Sequence, residues 1–107
     1  MRILHFTGIW IAAMVVGAHA AQNVRAGREL AIGACSACHQ VTPDQKPRPP
    51  VFNLEEQVSL AAPSFEAIAA KYAHRPAALR RIITDPVHPM PEQNWDPDDL
   101  TAVIAFI

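Results

Sequence analysis

Five consecutive residues, Cys35-Ser36-Ala37-Cys38-His39, carry the densest chemistry in the chain. Two thiols three positions apart on a helical turn face the same way, and the imidazole that follows is carried past them. This arrangement suits covalent haem attachment. Each thiol adds to one of two vinyl groups along one edge of the macrocycle, and the histidine binds the iron from the proximal side. Other uses of a C-x-x-C pair need surroundings that this sequence does not supply. A thioredoxin-like redox pair sits beside a βαβ pattern, and none surrounds Cys35. A zinc site needs two further ligands at finger-like spacing, which His74 and His88 lack. A disulfide between Cys35 and Cys38 would close a very short loop and contribute little.

A six-coordinate iron needs a second axial ligand. Met90 stands in His88-Pro89-Met90-Pro91, far from the attachment motif in sequence. Prolines on both sides favour an extended backbone and restrict the conformations open to the thioether. Filling a core is the usual role of methionine. A proline-rich loop is nevertheless a poor place from which to fill a helical core, and Met90 is the only methionine beyond residue 20. His88, two residues away, is the rival ligand. His74, just before Arg75-Pro76, reads as a solvated surface histidine.

The first twenty residues read as an address. Met1-Arg2 gives a short positive region, residues 3–17 are mostly apolar, and Ala18-His19-Ala20 has the small-x-small pattern of a signal-peptidase site. The expected cut lies between Ala20 and Ala21, with export to a bacterial periplasm. At about 1.5 Å per residue, the apolar stretch falls short of a hydrocarbon core of roughly 30 Å, which disfavours a retained anchor. No stable membrane insertion is expected after cleavage. Residues 1–20 are thus a signal peptide, and residues 21–107 are one small domain.

Composition narrows the function classes. The formal net charge is −1, with 9 basic against 10 acidic residues, so nothing marks a nucleic-acid-binding protein. Apolar residues make up 50% of the chain, which argues against disorder. All 10 prolines lie beyond residue 20 and limit regular structure to short pieces. A small proline-rich domain is short of core, and a pinned cofactor would supply what is missing.

The elements that must position these residues are helical. Residues 24–38 place Gly27, Leu30, Ala31 and Ala34 on one face. Residues 64–72 follow Pro63, with Ser64 as N-cap and Phe65, Ile68 and Tyr72 in step. Residues 77–84 group Leu79, Ile82 and Ile83, and Asp85-Pro86 ends them. The last helix has Asp96 as N-cap, Pro97 at N1, and Asp98 and Asp99 at its positive end. Leu100, Val103, Ile104 and Ile107 form its apolar stripe. The connection 40–62 is long, with an extended first half at Pro43, Pro47, Pro49 and Pro50. Asn53-Leu54-Glu55-Glu56 is suited to capping a single helical turn. No alternation lasts long enough to predict a strand, so the expected fold is all-α.

With Cys35, Cys38, His39 and Met90 in place, residues 22–107 resemble the class I cytochromes c, in particular the small bacterial periplasmic type. The order of parts carries the resemblance: an N-terminal helix, C-x-x-C-H, Ala-Pro-Ser-Phe-Glu-Ala-Ile-Ala-Ala-Lys-Tyr, Pro-Met-Pro, and an acid-capped last helix. It implies several short helices around one covalently attached haem c. It also implies that Pro63 presents its carbonyl to the free ring nitrogen of His39, and that Gly27 and Leu30 cross Val103 and Phe106. The connection 40–62 is longer than compact members require. Trp95 has two readings, a hydrogen bond to a propionate or an indole in the core.

The implied function is electron transfer by a periplasmic, monomeric carrier with His39 and Met90 as axial ligands, rather than enzymatic turnover. Redox proteins are its donor and acceptor. Lys46, Arg48, Lys71, Arg75, Arg80 and Arg81 either steer an acidic partner or form an ordinary solvated surface. One alternative is a haem-bearing relay subunit of a periplasmic oxidoreductase complex. Another is a haem sensor or peroxidase-like protein, which would require Met90 to be absent from the iron or labile.

Overall fold

The computed structural model describes the backbone of residues 8–87 and 89–107, and their side chains except those of residues 8–18 and Asn53. The described elements, in order, are α1 (Gly8–Cys35), β1 (Val51–Asn53), β2 (Val58–Leu60), α2 (Phe65–Lys71), α3 (Pro76–Thr84) and α4 (Pro97–Phe106).

The caps expected from the sequence are in place. Ser64 has extended backbone, and its hydroxyl accepts from the N–H of Ala67 at 3.1 Å. Asp96 does the same for α4, with Oδ1 accepting from Asp98 at 2.9 Å and Asp99 at 3.4 Å. Pro97 occupies the first turn, where a missing N–H costs nothing. Pro76 opens α3 in the same way, after His74 at φ 62°.

Two expectations are corrected. Residues 51–60 form no capped helical turn. They form a two-stranded antiparallel hairpin that pairs Val51 with Leu60, Phe52 with Ser59 and Asn53 with Val58. Val51, Phe52 and Val58 favour a pleated backbone, and Gln57 closes the turn at φ 52°. The fold is therefore mostly helical rather than purely so. The first helix also ends at Cys35 instead of continuing to residue 38, and residues 36–38 form a turn. Toward its start, α1 runs unbroken through Ala20 and Ala21. The expected positive region at Met1-Arg2 lies outside the described residues. Among those described, no helix is long and apolar enough to cross a membrane.

The core consists of two small clusters. Ala31, Val41, Phe65 and Val103 form one, with Leu30, Cys35 and Phe106 against it. Leu79, Ile83 and Leu100 form the other, with Tyr72 and Ile104 against it. Ile68, Trp95 and Ile107 pack on both and join them. Each large apolar side chain buried here contributes about 1.5–3 kcal/mol. The two clusters thus hold α1, α2, α3 and α4 together. Trp95 is half-buried, with its ring packed on both clusters.

Among the described helices, α1 packs closely against α4 at Gly27. Gly27 lies on α1 where a Cβ would overlap the carbonyl of Ala102 and stand 3.0 Å from Cβ of Phe106. A glycine is what allows the backbones to approach this closely. Arg80 adds a polar tie from α3 to α4, its Nη2 donating to Oγ1 of Thr101 at 2.9 Å.

Candidate functional site

The site begins at the end of α1. Cys35 closes the helix, and its carbonyl accepts from the N–H of Cys38 at 3.2 Å and of His39 at 2.9 Å. The second of these is an i to i+4 bond, so helical pairing reaches His39 although the helix itself has ended. Cys35 and Cys38 are both free thiols and both half-buried. Burial pushes the Cys35 thiol up, which keeps it protonated at neutral pH. Among the described residues, no three His, Cys, Asp or Glu side chains converge as a metal site would require.

His39 is held from two sides. Its Nδ1 lies 2.7 Å from the carbonyl oxygen of Pro63. A carbonyl only accepts, so Nδ1 carries the proton and the lone pair of the neutral ring is on Nε2. The imidazole and the Phe65 ring meet in a T-shaped arrangement at a centroid distance of 5.8 Å and an interplanar angle of 66°. Phe65 in turn lies 6.1 Å from Phe106 of α4. The ring is thereby coupled to both α2 and α4.

Gln40 and Gln45 were not singled out by sequence, yet they organise the segment after His39. Oε1 of Gln45 accepts from the N–H groups of Val41 at 2.9 Å and Thr42 at 3.3 Å. Nε2 of Gln40 donates to the carbonyls of Gln45 at 2.9 Å and Pro43 at 3.4 Å. Val41 and Thr42 are buried. Beside them, the side chain of Thr42 hydrogen-bonds the Asp44 carboxylate. That bond, the backbone N–H of Asp44 and the charge of Arg28 hold this carboxyl below its usual range. No pattern in the sequence signals this knot, because glutamine carries no turn or metal preference of its own.

Met90 is half-buried on a turn in which its N–H donates to the carbonyl of Val87 at 3.1 Å. The backbone there bends, instead of running extended as the flanking prolines suggest. Met90 is not among the side chains packed on either core cluster. The segment that follows is tied back to α1, with Nε2 of Gln93 donating to the carbonyl of Ala34 at 3.4 Å. The rival ligand, His88, lies outside the described residues. Of the basic residues, Lys71 and Arg75 rest on the ring of Tyr72, at 5.5 and 5.3 Å from its centroid.

The donor set suits a covalently held haem. It offers two free thiols at the end of a helix, an imidazole whose Nδ1 is committed to the Pro63 carbonyl so that Nε2 is the nitrogen left for a ligand, and a thioether not packed on either described cluster. Val51, Phe52, Leu54, Val58, Leu60 and Val87 are large apolar side chains left exposed. A family model described as cytochrome C oxidase, cbb3-type, subunit III matches residues 22–107. No curated protein and no solved structure matches the chain.

Proposed function

Because the chain belongs to the family of cytochrome c oxidase, cbb3-type, subunit III, a family of c-type cytochromes whose members transfer electrons through haem, we propose that it is a periplasmic electron carrier of the small class I type with one haem c. Cys35 and Cys38 would hold the group by thioether bonds, and His39 and Met90 would bind its iron. When bound, the haem supplies reversible one-electron exchange between ferrous and ferric iron.

The chain's own residues set the conditions for that exchange. The observation that carries the reading is the bond from Nδ1 of His39 to the carbonyl of Pro63, one residue beyond two free thiols. It fixes the tautomer, directs the lone pair to Nε2 and raises the donor strength of the imidazole. The soft thioether of Met90 favours the ferrous form and raises the reduction potential relative to a second histidine. With His39 and Met90 both bound, the iron would offer no open position to a substrate. Donor and acceptor are redox proteins, met through a small and transient interface. Residues 1–20 direct export and are removed near Ala20, and the mature chain acts as a monomer.

The test is an absorption spectrum of the protein expressed with haem-maturation machinery, recorded oxidised and reduced, and followed by denaturing extraction. Haem that stays with the polypeptide, together with the weak far-red band of methionine bound to ferric iron, is the expected result. Extractable haem, or none, would overturn the proposal.

The description of the matching family favours a second reading, a haem-bearing relay subunit of an oxidase complex. Copurification with larger chains from the native membrane, surviving mild detergent, would distinguish it from a free carrier.

A further inference from the structure

Five residues form a closed ring at the site, with Ser64 linking its second side. His39 is followed by Gln40, and Pro63 is separated from Phe65 by Ser64 alone. Nδ1 of His39 donates to the carbonyl of Pro63 at 2.7 Å, and the N–H of Phe65 donates to the carbonyl of Gln40 at 2.9 Å. Two neighbouring residues on one segment are thus paired with two near neighbours on the other. The imidazole contact keeps its length only while the backbone at Gln40 keeps its place.

That backbone is fixed by the two glutamines. Their side chains satisfy the N–H groups of Val41 and Thr42 and the carbonyls of Pro43 and Gln45, while the N–H of Gln45 donates to the carbonyl of Thr42 at 3.1 Å. Val41 is 4% exposed and Thr42 is 7% exposed, so water cannot readily replace the Gln45 oxygen at their N–H groups. We infer that Gln45 is a positioning residue for His39: by gathering the N–H groups of Val41 and Thr42 it holds Gln40 against Phe65, and so holds the imidazole on the Pro63 carbonyl. Gln40 serves the same end from the opposite side. The inference rests on the proposed role of His39 for its functional meaning, although the hydrogen-bond ring is a property of the chain itself.

The direction of the effect follows from the bond. A firmly held Nδ1–H makes Nε2 a stronger donor, which favours ferric iron. Loosening the ring weakens the donor and raises the reduction potential.

The experiment compares the haem-loaded full chain with its Gln45→Ala, Gln45→Glu and Gln40→Met variants. Solvent exchange of the His39 Nδ1–H is followed by NMR in the reduced state, and the midpoint potential is measured alongside. Gln45→Ala is expected to speed exchange by about ten-fold and raise the potential, because two buried N–H groups lose their acceptor. Gln45→Glu keeps an acceptor oxygen and is expected to restore exchange to within about three-fold of the wild type. Gln40→Met, which removes the carboxamide and with it the two bonds that Nε2 donates, gives an intermediate increase. If Gln45→Ala fails to fold, the contrast between Gln45→Glu and Gln40→Met decides. Folded variants with unchanged exchange and potential would overturn the inference. Wild-type protein that retains no covalent haem would instead overturn the proposed function, and the two failures are distinct.

Discussion

Gly27 and Ala102 are in backbone contact, with no room between them for a methyl group. The crossing of the first and last helices therefore depends on the absence of a side chain at one position. Gly27→Ala should destabilise the protein by about 1–3 kcal/mol, since the overlap is with backbone and outweighs the gain in helix propensity. Gly33, on the same helix, has nothing within 4 Å of an added Cβ. Gly33→Ala should be neutral or stabilising by up to roughly 1 kcal/mol. Urea titrations of the two variants check the pair, and a stabilising Gly27→Ala would refute the close crossing.

The helix caps make a second prediction. Removing the hydroxyl in Ser64→Ala or the carboxylate in Asp96→Ala should cost about 1 kcal/mol each. Asp96→Asn keeps a capping oxygen and should recover most of that loss. Denaturant midpoints at constant m-value would report it.

Under the proposed ligation, His39→Ala should abolish a normal low-spin centre. Met90→Ala should keep the haem attached through Cys35 and Cys38, lower the reduction potential and let the reduced protein bind carbon monoxide. An unchanged potential in Met90→Ala would remove Met90 from the iron.

The loop after His39 carries a pH dependence with a definite sign. Asp44 is held below the ordinary carboxylate range, first by the side chain of Thr42, then by its own backbone N–H, with a further contribution from Arg28. Its contribution to stability is fully present above the ordinary carboxylate range. It is lost as the pH falls through the depressed range. The stability difference between wild type and Asp44→Asn should therefore shrink on acidification below about pH 4. A difference that stays constant from pH 7 to pH 3 would show that the carboxylate is not held.

The helices were legible because their signals are local. Ser64, Asp96 and Pro97 mark starts, and the spacing of Leu79, Leu100 and Val103 marks faces that the structure buries. The hairpin was not legible, since a three-residue strand shows hardly more than one alternation. Asn53 to Glu56 also satisfy the pattern of a capped turn, and Gln57 is an unusual residue for a positive φ. At the site, the Cys35 to His39 motif is contiguous and could be read directly. The pairing of Pro63 with His39 spans 24 positions and came only from resemblance. The Gln40–Gln45 knot and the contact of Phe65 with the imidazole arise from tertiary placement, which no local pattern encodes.

The packing of Cys35 bears on the timing of chemistry during synthesis. This thiol rests on a cluster whose largest fully buried side chain, Val103 at 1% exposure, comes from the last helix. A nascent chain that has exposed Cys35, Cys38 and His39 still lacks α4, and the lid over the thiol is not yet built. Emergence is vectorial, so Cys35 passes through an interval of open access that narrows to half-burial when the cluster assembles. A covalent modification of Cys35 is fastest within that interval, and rapid folding competes with it.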